Sequence, residues 1–161
     1  MGNKGKMIHT DGSLGVDITS SKLCESLVKL GIGYRKTYTD FEIPEEIPKE
    51  LVRHFFRGFF DGDGSFSAGI YTSKDRPNPR LRVHFSIDSK KPKILNSFMN
   101  FLYNNDIKTS VIYLKRDDMY RLNSSSIKEC KKIFNLLYNN SNFYLIRKFK
   151  NYNHYVNTEV T

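Results

Sequence analysis

Phe56-Arg57-Gly58-Phe59-Phe60-Asp61-Gly62-Asp63-Gly64 is the stretch on which the reading of this chain turns. Just before and within it, Leu51, Val52, Phe55, Phe56, Phe59 and Phe60 recur at the spacing of one helical face, and the pattern stops abruptly at two Asp-Gly pairs. A helix over 49–60 ending in an acidic turn follows. Gly58 falls inside that helix, where glycine costs roughly 1 kcal/mol against alanine, so its use points to the close approach of another helix. Asp63 stands at the C-terminal end, among carbonyls that carry partial negative charge, a poor place for a lone carboxylate and a favourable one for a divalent cation. The plain alternative is an acidic or calcium-binding loop. The D-x-D-G here lacks the remaining ligands of an EF-hand.

Downstream, Phe66, Ala68 and Ile70, then Leu81, Val83, Phe85 and Ile87, alternate with polar residues as half-buried strands do, joined by a loop over 74–79. A helix over 92–104 turns Ile94, Leu95, Phe98, Phe101 and Leu102 inward, and strands over 109–115 and 119–123 reverse at Asp117-Asp118. Ser124 to Ser126 cap a helix bearing Ile127, Cys130, Phe134 and Leu137, and a last helix covers about 142–152. From Lys49 the order is αββαββαα, an α+β domain over 49–161 with an antiparallel sheet. Upstream, residues 1–13 read as a glycine-bearing, flexible or extended lead-in. Residues 14–48 hold a short strand at Val16-Asp17-Ile18, a helix capped by Ser20 or Ser21 with Leu23, Leu27 and Leu30 on one face, and the linker Ile43-Pro44-Glu45-Glu46-Ile47-Pro48. A faint repeat relates Val16-Asp17-Ile18-Thr19-Ser20-Ser21 to Tyr120-Arg121-Leu122-Asn123-Ser124-Ser125, each followed by a helix and an Arg-Lys pair, Arg35-Lys36 and Arg147-Lys148.

The 161 residues carry 26 Lys and Arg against 17 Asp and Glu, a formal charge of +9. Residues 1–50 are net −1 and residues 51–161 net +10, so the basic surface belongs to the second part. Such a surplus favours a polyanionic partner and strongly salt-dependent binding. No apolar run approaches the roughly 18 residues of a spanning helix, and the first dozen residues are too polar for a secretory signal. Cys24 and Cys130 lack metal-site spacing and read as buried thiols, which makes a soluble, intracellular protein the expectation. His9, His54, His84 and His154 show no ligand spacing, and no chemistry is assigned to them.

With these elements in place, Phe56 to Gly64 resembles the LAGLIDADG motif of homing endonucleases at its Gly, both Asp and final Gly positions, and Ser65-Phe66 continue it in the usual manner. The element order agrees with that family over about 51–150, and residues 14–48 are similar to the closing strand, helix and linker of the first half of a two-motif member. The resemblance implies an αββαββα domain whose sheet binds DNA, and site-specific double-strand cleavage by phosphodiester hydrolysis. The resemblance leaves open whether the reading frame lies in an intron or intein or stands free. By the same resemblance Asp63 and the backbone carbonyl of Gly62 bind Mg²⁺, Lys148 is the active-site lysine with Lys36 as its counterpart, and Asp61 is a structural cap. Lys74, Arg76, Arg80, Arg82, Lys115, Arg116 and Arg121, in or beside the strands, are candidates to read DNA, and Lys90 to position phosphate. One motif is present. The chain is therefore expected to pair with a second copy through Phe55, Gly58 and Phe59, or to be part of a longer two-motif protein. The alternative function is a nucleic-acid-binding protein of the same fold without cleavage, such as a splicing helper or regulator.

Overall fold

The computed structural model describes residues 6–10, 13–31, 40–73 and 76–157. In chain order the elements are β1 (Lys6–Thr10), β2 (Ser13–Asp17), α1 (Ser21–Lys29), α2 (Lys49–Asp63), β3 (Gly64–Ser73), β4 (Arg76–Ser89), α3 (Lys93–Tyr103), β5 (Ser110–Leu114), β6 (Met119–Ser124), α4 (Ile127–Tyr138) and α5 (Ile146–Tyr152), followed by a π-helical turn, Asn153–Asn157. From α2 onward this is the αββαββαα order, a mixed fold on a four-stranded antiparallel sheet in the order β3-β4-β6-β5.

The core forms because each strand buries alternate residues. Phe66, Val83, Phe85, Ile87 and Leu122 face one side, where Phe56 and Phe60 of α2, Phe98 of α3 and Phe134 of α4 meet them. Ring on ring, Phe56 stacks on Phe98 at 4.3 Å between centroids, Phe60 on Phe85 at 4.5 Å and Phe134 on Tyr152 at 4.0 Å. Burying one such ring contributes roughly 2–3 kcal/mol, so this aromatic layer fixes how α2 lies on the sheet.

Several expectations need correcting. The motif helix does not stop at residue 60. It runs through Asp63, and the chain passes straight into β3 at Gly64. Strand β1 pairs with β2 inside the stretch read as a lead-in, with Lys6 opposite Asp17 and Thr10 opposite Ser13. Strand β4 begins at Arg76, within the expected loop over 74–79, and so contains Pro77 and Pro79. Prolines are tolerated there because β6 pairs with β4 only from Phe85 to Ser89, which leaves the first part of β4 without a strand on that side among the described residues. Cys24 is exposed rather than buried, while Cys130 is buried as expected. Tyr34, Arg35, Lys36 and Lys74 lie outside the described residues.

The helix caps set the repeat in a different register, aligning Ser20 with Ser126 rather than with Ser124. Ser20 caps α1 through its hydroxyl, which accepts the Leu23 N–H at 3.2 Å, and Ser126 caps α4 in the same way from Glu129 at 3.3 Å. Aligned on these caps, each helix follows an antiparallel hairpin and carries a cysteine four residues on, Cys24 and Cys130.

Candidate active site and nucleic-acid face

The tip of α2 is held from behind. Gly64 is the glycine the turn cannot replace, because a Cβ there would come within 2.1 Å of the Phe60 ring and 2.7 Å of the Phe60 carbonyl oxygen. Asp61 is a structural pin. Its Oδ1 accepts the Tyr138 hydroxyl at 2.5 Å and its Oδ2 accepts the Leu145 N–H at 3.0 Å, which ties the motif helix to the end of α4 and the start of α5. Burial, and then the bond to Asp61, push the Tyr138 phenol far above its ordinary value, so it remains a donor. Arg57 adds a bond from Nη1 to the Leu137 carbonyl at 3.3 Å.

Lys148 is only 3% exposed. Its ammonium donates to the carbonyl oxygens of Phe60 and of Asp61, the latter at 2.9 Å, and lies 4.7 Å from the centroid of the Phe60 ring. Burial lowers its pKa, opposed chiefly by the charge of Asp61. A cation on the last carbonyls of a helix offsets the partial negative charge there, so Lys148 steadies the very turn that carries Asp63. Asp63 itself is exposed, as are Gly62 and Gly58. Among the described residues a Cβ added at Gly58 or Gly62 would meet nothing within 4 Å, so none of them requires glycine there for packing. Phe55 and Phe59, on the same helix, are half-buried.

Beside the tip lies a cavity of about 300 Å³ lined by Phe41, Phe59, Asp63, Asp88 and Lys90 among others. Asp88 grips Arg121 through two bonds, Nε to Oδ1 at 2.6 Å and Nη2 to Oδ2 at 2.7 Å. Lys90 donates to the carbonyls of Asp117 and Asp118 at 3.1 and 3.2 Å, tying the β5–β6 turn to the end of β4. Phe41 reaches the cavity because its neighbours are anchored to α3: the Asp40 carboxylate accepts the Lys93 N–H at 3.2 Å, and Glu42 lies 3.5 Å from the Lys93 ammonium. Sequence reasoning missed Phe41, Asp88 and this anchoring, which join residues some 50 positions apart.

The sheet face away from the core is polar and basic. Register places Tyr71 opposite Arg80, Gly69 opposite Arg82, Ser67 opposite His84 and Ser65 opposite Ser86, with Asp88 facing Arg121 and Ser86 facing Asn123 across β6. Arg80 and Arg82 are exposed on this face, and Lys115 and Arg116 are exposed in the β5–β6 turn. Arg76 begins β4, though its side chain lies outside the described residues. His84 shares the parity of Arg82 and Ser86, a signal readable from strand alternation that a search for metal-ligand spacing passes over.

An exposed acid thus stands at a helix tip that borders a cationic antiparallel sheet. The chain belongs to the LAGLIDADG endonuclease family, whose model matches residues 56–158. Among solved structures it is similar to the archaeal intron-encoded homing endonuclease I-Vdi141I complexed with DNA, with a TM-score of 0.52 and 23% identity over 63% of this chain and 62% of that one. It is also similar to the group I intron-encoded homing endonuclease I-CeuI complexed with DNA, with a TM-score of 0.52 and 15% identity over 83% of this chain and 70% of that one. At these identities the likeness is one of fold, and this chain covers less than two thirds of the length of the I-Vdi141I chain. No curated protein sequence matches. No helix among the described residues is long and apolar enough to cross a membrane.

Proposed function

We propose that the protein is a divalent-metal-dependent, site-specific double-strand DNA endonuclease, in which two copies lie against one another along α2. The observation that carries this reading is the exposed Asp63 at the end of a helix braced from behind by Lys148 and Asp61, next to a basic sheet face. The residues suit Mg²⁺: the Asp63 carboxylate and the Gly62 carbonyl are hard oxygen donors on an exposed turn. Bound there, the ion would supply Lewis-acid stabilisation of charge on the phosphate and the leaving oxygen. Among the described residues no three His, Cys, Asp or Glu side chains gather as a metal cage, so the phosphate, water and the second motif helix would complete the ligand set.

The chain's own residues hold and orient. Arg80 and Arg82 neutralise phosphates along the groove. Asp88 keeps the Arg121 guanidinium on the DNA-facing side of β6, and Lys115 and Arg116 extend the basic surface from the turn. Lys148 acts in this reading by holding the helix end from which Asp63 projects. Open space over Gly58 and Gly62, with Phe55 and Phe59 beside them, supports a partner helix at close range.

The reading is tested by incubating the protein with a duplex library and Mg²⁺. Specific cutting that Asp63→Asn abolishes while duplex binding persists is expected, and cutting by Asp63→Asn at the wild-type rate would remove Asp63 from the chemistry. The burial of the Lys148 ammonium on helix carbonyls favours a second reading, a nucleic-acid-binding protein that does not cleave. Salt-sensitive duplex binding without nicking in Mg²⁺, Mn²⁺ or Ca²⁺ would select it.

A further inference from the structure

A second concavity opens away from the acidic tip, where β4 runs past the end of β6. It has a volume of about 710 Å³, and its polar lining includes Ser67 and Tyr71 of β3, Arg82 and His84 of β4, and Ser125, Ser126 and Lys128 at the start of α4. Among the described residues none of its lining is a carboxylate. Arg82 lies 5.7 Å from the centroid of the Tyr71 ring, and His84 Nδ1 is 3.2 Å from the Ser125 hydroxyl oxygen. Basic side chains thus converge from two elements with no acid among the described residues of the cavity wall, an arrangement relieved by an anion from outside.

An unpaired strand edge could also accept another strand. Here Pro77 and Pro79 have no N–H to offer along the outer part of that edge, and the cationic lining is suited to phosphodiester oxygens instead. Position along β4 fixes where such a phosphate would lie. Ile87 is opposite Gly64, next to the acidic tip. At about 3.3 Å per residue, His84 and Arg82 stand roughly 10 and 17 Å further out, about three to five base-pair steps of duplex DNA.

We propose that Arg82, His84, Ser125 and Lys128 form a phosphate anchor that grips the backbone of the DNA duplex about three to five base pairs outside the position served by Asp63, without reading its sequence. The inference rests on the reading that the sheet binds DNA. Its contribution is to assign His84, on the strand face of Arg82, and Ser125 and Lys128, outside the sheet, to that grip.

The test measures the affinity of the full chain for a mixed-sequence duplex across a KCl series. Lys128→Ala is compared with Lys131→Ala, which removes another exposed charge from the same helix outside the cavity. Removing one phosphate-neutralising charge should make the plot of log affinity against log salt shallower by about 0.9. The expected result is that change for Lys128→Ala, equal on unrelated duplex sequences, a smaller loss of affinity for Ser125→Ala, and a wild-type slope for Lys131→Ala. Equal slopes for Lys128→Ala and wild type would overturn the anchor while leaving DNA binding in place, as would a loss confined to one duplex sequence. Absence of any salt-sensitive binding by the wild type would overturn the anchor and the DNA-binding reading together.

Discussion

β1–β2–α1 and β5–β6–α4 are built to one plan: an antiparallel hairpin, a serine-capped start and an amphipathic helix with a cysteine four residues after the cap. In α4 the apolar stripe Cys130, Ile133, Phe134, Leu137 and Tyr138 is buried. In α1, Cys24, Leu27 and Val28 occupy the positions of Cys130, Ile133 and Phe134, yet no residue of the helix is buried and Val28 remains 50% exposed. Capping and periodicity thus specify the helix, whereas burial depends on what lies opposite. α4 packs on α2 and β4, which precede it in the chain. A helix as short as α1 draws little stability from propensity alone, so tertiary packing is what distinguishes the two units.

The largest effect that separates the two helices is expected at their matched apolar positions. Phe134→Ala should cost about 3–5 kcal/mol in denaturant unfolding, and Val28→Ala less than about 0.5 kcal/mol. Equal costs would mean that α1 is packed as α4 is. A smaller loss, about 2 kcal/mol, is expected for Lys148→Met, which strips the carbonyls of Phe60 and Asp61 of their buried donor. Stability unchanged in that variant would show that the helix end needs no cation. Thiol labelling distinguishes the two units without altering stability. Cys24 should react with iodoacetamide in the native protein, while Cys130, buried and with its thiol pushed up to about 11, should react only on unfolding. Comparable native-state rates, read by mass spectrometry, would contradict the assigned burial.

Much of the fold from α2 onward is legible in sequence because a buried face imprints its period. Phe56 and Phe60 mark α2, and Phe66, Val83, Phe85 and Ile87 mark the strands, since one side of each element faces the core. Strand β1 is not legible, for it is held by backbone pairing with β2 and residues 1–13 carry little apolar pattern. The start of β4 is hidden by Pro77 and Pro79, which read as a loop unless it is known that no strand among the described residues pairs on that side. The motif makes Asp63 and Gly62 readable as candidates, but the bracing of their turn is not. Lys148 reaches the carbonyls of Phe60 and Asp61 across more than 80 residues of chain, and Asp88 meets Arg121 across 33. His84 is readable from parity with Arg82, yet its proximity to Ser125 depends on where β6 ends.

Sedimentation of the purified protein, wild type beside Gly58→Ala, bears on the pairing along α2 without intermediate assumptions. Pairing predicts a two-copy species for the wild type and a single-copy species for Gly58→Ala, with the variant's isolated fold stabilised by about 0.5–1 kcal/mol because the added methyl meets nothing among the described residues. A wild type that sediments as one copy, or a Gly58→Ala variant that pairs as well as the wild type, would contradict it.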